Sequence, residues 1–267
     1  MVKPQHYQHI WDCCCDHGLL GFSLLSPQKR NDTQISNSTN TTTKLTETIT
    51  NTKVHFVDIV PELMLEIDNK LKRFYPATSL AKNNTLDWQT HCIDVAQLPL
   101  KQYQGKHLVI IAGVGGDLMI KFIEAINQQH SDLAIDFLLC PVHHQYALRS
   151  KLIELKFSLI DECLVAENQR FYELMLVSSE QDNNNKITKV GDKFWLPLIK
   201  KQPSQQADIA TKYLKKTLQH YQRIQKGIVL SAKQSSALSS GNNPINEQTV
   251  AIQNTINAYQ DIAKRTI

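Results

Sequence analysis

Apolar side chains come in short blocks along this chain, and the spacing within the blocks alternates between two kinds. His9-Ile10-Trp11-Asp12-Cys13-Cys14 reads as a short strand, followed through Asp16-His17-Gly18-Leu19-Leu20-Gly21 by a turn and the start of a helix. Val54 to Asp58 is a strand ending in an acid. Pro61-Glu62-Leu63 then opens a helix with Leu63, Ile67 and Leu71 on one face. His91-Cys92-Ile93-Asp94 repeats the strand-then-acid pattern. His107 to Ala112 is a continuous apolar run, the pattern of a strand buried on both faces, and Gly113-Val114-Gly115-Gly116 breaks it. Leu118, Phe122 and Ile126 are spaced by four and predict a helix. Phe137 to Cys140 is another buried strand, stopped by Pro141, with a helix from Gln145 to Leu155 after it. Phe157 to Val165 and Phe171 to Val177 read as an antiparallel pair joined around Glu167-Asn168-Gln169. Strands alternating with helices predict an α/β fold, a Rossmann-like open sheet that is mostly parallel.

The pattern changes near Thr188. Leu214, Tyr221 and Ile228 recur every seven residues, and Ile252, Ile256, Tyr259 and Ala263 form a second helical stripe. Ser239 to Pro244 reads as the turn between them. The prediction is an antiparallel, coiled-coil-like two-helix hairpin, too short to be stable alone and so packed on the α/β body. The expected domains are residues 1–187 and 188–267. Residues 27–53, poor in apolar side chains and dense in Asn, Thr and Ser, read as a polar, flexible insertion in the first.

Charge sharpens this division. The net formal charge of the 267 residues is +4, yet residues 188–267 carry twelve Lys and Arg against four Asp and Glu, a net of +8. An acidic body with a basic tail suggests a polyanionic partner on the tail side; the bland alternative is a solvated helical face. The six cysteines include an adjacent triplet, Cys13 to Cys15, and no CxxC pair, so a structural zinc site has little support and no metal is expected. No apolar run approaches the roughly 20 residues of a membrane span, and the first residues lack a signal peptide's apolar stretch, so a cytoplasmic protein with no membrane partner is expected.

In open α/β sheets, ligands bind beyond the carboxyl ends of the strands. Here those ends carry Asp12 to Gly21, Asp58, Asp94, and Gly113 to Asp117. An ionised carboxylate only accepts hydrogen bonds, so an acid after the second strand can take two ribose hydroxyls. The first turn lacks GxGxxG, which argues against a dinucleotide enzyme, and there is no GxxxxGK[ST]. Each acid taken singly is as readily a helix cap.

Asp12-Cys13-Cys14-Cys15-Asp16-His17-Gly18-Leu19-Leu20 resembles the Asp-Ile-Gly-Ser-Asp-His-Ala-Tyr-Leu motif of the tRNA (adenine-N1)-methyltransferases that modify adenine 22. Ile111 to Met119 resembles that family's Ile-Ala-Gly-Met-Gly-Gly segment. Cys140-Pro141 with Leu148-Arg149 is similar to its Gln-Pro-Asn and Leu-Arg stretch, and Leu164 to Glu167 with Phe171-Tyr172-Glu173 to its closing hairpin. A C-terminal helical hairpin is also a family feature. The resemblance implies S-adenosyl-L-methionine as cofactor and tRNA as partner. Asp12, Cys14 and the turn through Gly18 would face the methionine part, and Asp58, with Ile59 beside it, would hold the ribose. Asp94 would bond the adenine amine, Cys92 and Ile93 would flank the ring, and Ala112 and Gly113 would close the pocket. It further implies Asp16 and His17 as catalytic residues, with Asp16 accepting from the target amine as the ring becomes cationic. On the substrate side it implies Gly115, Gly116, Pro141, His143 and Arg149, with Lys212, Lys215, Lys216 and Arg223 meeting phosphates.

Some residues keep a second reading. His17 is alternatively a helix-start side chain packed by Leu20, Asp117 reads as the cap of the helix at Leu118, and His143-His144 as RNA-facing or merely exposed. The chain also departs from the family pattern: Cys14 stands where the motif has glycine, and Val142 where it has asparagine. The alternatives kept open are a catalytically silent RNA-binding protein and a small-molecule methyltransferase. The oligomeric state is left open, with a monomer favoured.

Overall fold

The computed structural model of the chain describes residues 2–25, 52–76, 87–235 and 244–266. Of the insertion expected over 27–53, only Thr52 and Lys53 are among the described residues, and the turn before Pro244 lies outside them. The chain groups into two compact units: residues 1–114 with 121–139, and 115–120 with 140–267.

In the first unit the strands are β1 (His9–Cys13), β2 (Lys53–Asp58), β3 (Asp87–Cys92), β4 (His107–Ala112) and most of β5 (Ile135–Cys140). Their order is β3-β2-β1-β4-β5. β1 runs parallel to both β2 and β4, and β2 is parallel to β3. The expected Rossmann-like arrangement is present: β4 is buried along nearly its whole length, as a strand covered on both faces must be. On one face, Val54 and Phe56 pack with Leu25 of α1 (Leu19–Leu25) and with Met64, Ile67 and Leu71 of α2 (Pro61–Phe74). Gly21 permits this approach, because a Cβ there would lie 2.2 Å from the Phe56 ring.

The opposite face carries polar aromatic groups. His55 is fully buried and stacks on Trp11 with ring centroids 3.8 Å apart and planes 9° off parallel. His9 Nε2 lies 3.1 Å from the Gln104 carbonyl, His9 Nδ1 lies 3.0 Å from His55 Nε2, and His55 Nδ1 lies 2.9 Å from His91 Nε2. A carbonyl only accepts, so His9 carries its proton on Nε2. With neutral rings each following histidine must then do the same, and His91 donates to His55, which donates to His9. His107 follows suit, accepting from Trp11 Nε1 at Nδ1 and donating from Nε2 to the Tyr103 carbonyl. Burial holds His55 down to about 2 and His91 and His107 down to about 4, with Lys53 adding to the effect at His55 and His91.

The second unit contains α4 (Gln145–Glu154), β6 (Ser158–Glu167), β7 (Arg170–Ser178), α5 (Leu196–Ile199), α6 (Gln205–Ser235) and α7 (Pro244–Thr266). β6 and β7 pair antiparallel up to Glu167 opposite Arg170. The two residues between, Asn168 and Gln169, have φ of 48° and 62°, the mirror-image turn that suits strand twist. Leu214 and Tyr221 of α6 are buried with Ile256 and Tyr259 of α7, so the heptad reading of a helical hairpin holds. The same core takes in Leu164 of β6, Phe194 and Trp195. A buried polar network joins it. Arg149 Nε donates to Glu173 Oε2 at 2.9 Å, one terminal nitrogen donates to Glu162 Oε2 at 2.8 Å, and Tyr213 Oη donates to Glu173 Oε1. This network and core join α4, β6 and β7 to the helices within the unit.

Candidate active site

The carboxyl ends of β1, β2 and β3 converge in the first unit. The Cys15 N–H donates to the Val57 carbonyl at 3.2 Å, the Asp16 N–H to Asp58 Oδ2 at 3.3 Å, and the Ile93 N–H to the Asp58 carbonyl at 3.1 Å. Cys14 sits among the acids. Its thiol is pushed up to about 11, first by burial and then by the Asp58, Asp12 and Asp94 carboxylates. Cys92 Sγ donates to the Ile59 carbonyl at 3.8 Å, so the β2 and β3 ends are tied as well. Gly18 has φ +73°, where a side chain would also crowd Phe22 and Ile67. Gly113 has φ +79° with nothing within 4 Å of where a Cβ would stand, leaving open space beside the end of β4.

Each acid also has a local partner. Asp58 is buried, and its Oδ1 accepts from the Val60 N–H at 3.0 Å, so each oxygen takes one backbone amide and keeps a lone pair. Asp94 accepts from the Ala96 N–H at 2.9 Å and caps a short 3-10 turn. Asp12 accepts from the Gly21 N–H at 2.8 Å inside the fold, and burial lifts its carboxyl to about 7. Asp16 is 72% exposed at φ +48°. His17 lies 3.7 Å from Asp16 and 3.8 Å from Glu66, too far for a hydrogen bond to either, so no direct bond orients Asp16.

In the second unit, the start of α3 (Gly116–Gln129) lies against the loop after β5. The Gly116 N–H donates to the His143 carbonyl at 2.9 Å. A Cβ on Gly115 would lie 2.2 Å from the His143 ring, and one on Gly116 would lie 2.7 Å from the His144 carbonyl. Both glycines are thus required by this packing. Pro141 is buried beside them. Arg149 departs from its expected place on the substrate side, which is a correction. Its side chain is 0% exposed and its guanidinium is held by Glu162 and Glu173, so it faces no substrate. Lys212, Lys215, Lys216 and Arg223 do lie exposed on α6, with Lys216 donating to the Gln169 carbonyl at 3.1 Å.

The sequence reading missed two pairings. Asp117 Oδ2 and His144 Nδ1 lie 2.6 Å apart, 27 residues apart in sequence, and no local pattern signals that. The Arg149 network carried one sign: Glu173 alternates with Met175 and Val177 on the buried face of β7, where period two marks it as internal. Among the described residues, no group of three or more His, Cys, Asp or Glu is placed to hold a metal ion. None of their helices is long and apolar enough to cross a membrane.

A family model described as a methyltransferase domain matches residues 43–175. Solved structures with the same fold include the Bacillus subtilis m1A22 tRNA methyltransferase TrmK. It is 15% identical, with 97% of this chain and 93% of that one covered and a TM-score of 0.56. Mycoplasma capricolum TrmK with S-adenosylhomocysteine is also 15% identical, with 97% and 92% covered and a TM-score of 0.56. An uncharacterised Listeria monocytogenes protein is 14% identical, with 96% and 93% covered and a TM-score of 0.59. At these identities the likeness is one of fold. No curated protein sequence matches the chain.

Proposed function

We propose that the protein is an S-adenosylmethionine-dependent methyltransferase acting on N1 of an adenine in tRNA, position 22 by resemblance. The observation that carries this is the convergence of Asp12, Cys14, Asp58 and Asp94 at neighbouring strand ends, with open space at Gly113. Those residues fit the cofactor. The spare lone pairs of Asp58 suit two ribose hydroxyls, and in this reading Cys92 and Ile93 flank the adenine ring and Asp94 bonds its amine. Asp12, costly to ionise in its burial, gains from an ammonium group nearby. Bound there, S-adenosylmethionine supplies a methyl group on a sulfonium centre.

The residues of the chain have the remaining work of positioning. Neutral adenine already holds a lone pair on N1, so no base is needed to create the nucleophile. Methylation makes the ring cationic, and the Asp16 carboxylate balances that charge, more strongly once docked RNA excludes water. His17 contacts the RNA beside it. A target base in a paired arm must be extruded, at a cost of a few kcal/mol. Phosphate contacts from Lys212, Lys215, Lys216 and Arg223 offset that cost.

The test is incubation with bulk tRNA and labelled cofactor, followed by nucleoside mass spectrometry for 1-methyladenosine, with calorimetry on wild type and Asp58→Ala. The expected result is a 1-methyladenosine product and markedly weaker cofactor binding by the variant. Cofactor binding with no RNA product favours a small-molecule substrate. No heat of cofactor binding favours a silent RNA-binding protein, a reading that Cys14 at φ +55° motivates, since a glycine would adopt that backbone without strain.

A further inference from the structure

Within the second unit, the loop after β5 and the outer face of α6 present two exposed imidazoles whose hydrogen-bonding roles are fixed by their partners. His144 Nδ1 lies 2.6 Å from Asp117 Oδ2. A carboxylate only accepts, so Nδ1 carries the proton, and in the neutral ring Nε2 keeps an unshared pair. His220 is the converse. An Arg223 terminal nitrogen lies 3.4 Å from its Nδ1 and can only donate, so Nδ1 accepts and Nε2 carries the proton. Burial, then Arg223, then His144 lower the basicity of His220, which keeps that ring neutral. The influence of His144 also sets the two rings near one another. An acceptor, His144 Nε2, and a donor, His220 Nε2–H, thus share one surface of one unit.

The backbone is strained to hold this arrangement. His144 has φ +61° and ψ +34° at the N-terminal cap of α4, and its side chain caps nothing there. The left-handed region is unfavourable for a residue with a Cβ. What the conformation achieves is the contact with Asp117, 27 residues away in sequence. Gly115 and Gly116 serve the same approach, since a Cβ on either would meet the His143 ring at 2.2 Å or the His144 carbonyl at 2.7 Å. The pair so formed is 48% and 64% exposed and adds little to stability. Strain kept for so weak a contact points to function. The surroundings are cationic. Lys212, Lys216, His220 and Arg223 follow one another at four, four and three residues and so share one face of α6, all of them exposed. Lys189, also exposed, has its Nζ 5.9 Å from the ring of Tyr146 in the first turn of α4.

A hydroxyl can use such a pair of imidazoles with a single oxygen, donating to one and accepting from the other. In an RNA strand each ribose carries a 2′-hydroxyl close to a phosphate, and that hydroxyl is what distinguishes RNA from DNA. We propose that His144, positioned by Asp117, and His220, positioned by Arg223, together bind a ribose 2′-hydroxyl, with the Arg223 guanidinium on a neighbouring phosphate. The inference rests on the tRNA reading above and gives the second unit a means of selecting RNA over DNA. The lysines of α6 meet phosphates of either polymer alike, so they supply affinity without that choice. The two histidines supply the choice, and no residue of the first unit enters it.

The experiment measures the affinity of the full chain, by fluorescence anisotropy at fixed pH and several salt concentrations, for two probes. One is a labelled tRNA transcript and the other an all-deoxy oligonucleotide of the same sequence. Wild type is expected to bind the ribose form about 10-fold more tightly or better. His144→Ala is expected to lose about 5- to 10-fold on the tRNA, the scale of one hydrogen bond, with affinity for the deoxy probe unchanged within about 2-fold. The deoxy probe thereby also reports that the variant is folded. His144→Gln carries an amide oxygen that reaches the place of Nε2 and is expected to keep most of the preference. His220→Phe removes the donor and is expected to narrow the preference as His144→Ala does. Lys215→Gln is expected to weaken both probes equally and to make the salt dependence shallower by about one ion. Equal binding of the two probes by wild type, or a His144→Ala variant whose preference is unchanged because it loses both probes equally or neither, overturns this inference and leaves the tRNA reading standing. Binding of neither probe by wild type overturns the tRNA reading and this inference with it.

Discussion

His55 offers the sharpest test of how the first unit is held together. Its ring is fully buried, stacked on Trp11, and bonded at both nitrogens by other histidines. Protonation would place N–H on Nδ1 facing the N–H of His91, so burial and donor crowding both favour the neutral ring. The fold holds its pKa at about 2 against an ordinary 6.5. A group whose folded pKa is depressed leaves the unfolded chain binding more protons, so stability falls as pH drops below 6.5 and is fully present above it. Between pH 8 and pH 5 this one ring makes the fold less stable by about 2 kcal/mol, from roughly 1.5 pH units at 1.36 kcal/mol each. The perturbation is His55→Phe, which keeps a flat ring against Trp11 and cannot titrate. It leaves His9 Nδ1 and the His91 Nε2–H without their partner, a cost of about 1–3 kcal/mol for each group and nearly independent of pH. Urea unfolding followed by tryptophan fluorescence at pH 8, 7, 6 and 5 gives the stability of both proteins. The variant is expected to be clearly weaker at pH 8, and the gap to narrow by about 2 kcal/mol at pH 5, because both proteins lose the contributions of His9, His91 and His107 and only wild type also loses that of His55. A gap of constant size across that range refutes the reasoning, since His55 would then not be held neutral.

Two further outcomes follow from the geometry. Arg149→Met leaves Glu162 and Glu173 buried without their cation and is expected to cost about 3–5 kcal/mol, read by chemical denaturation, with Arg149→Lys a poor rescue because one ammonium cannot fork between two carboxylates. Cys14→Gly removes a side chain from φ +55° and is expected to stabilise by about 0.5–1 kcal/mol, the relief of left-handed strain less the entropy of a freer unfolded chain, with cofactor binding at least as tight by calorimetry; a destabilised variant would show that the half-buried thiol contributes more by packing than its backbone costs.

Much of the architecture follows from local pattern. The unbroken apolar run of β4 is buried as such a run requires, and the seven-residue spacing of Leu214 and Tyr221 places both in the hairpin core. The acid that ends β2 stands at the carboxyl end of its strand because strand length and chain direction alone put it there. Asn168-Gln169 turns as two residues between alternating strands should. Other features needed the folded chain. Arg149 on α4 resembles any exposed helical arginine until β6 and β7 bring Glu162 and Glu173 against it from 13 and 24 residues away. His9, His55 and His91 form a connected series only because the parallel register sets β1 beside β2 and β2 beside β3. That the loop after β5 packs where a Cβ of Gly115 or Gly116 would stand is likewise invisible in the Gly-Val-Gly-Gly run itself. Periodicity records which face of an element meets apolar surroundings. Whether a charged or polar group on it is buried, paired or free depends on the partner that a distant segment supplies, and only the tertiary packing decides that.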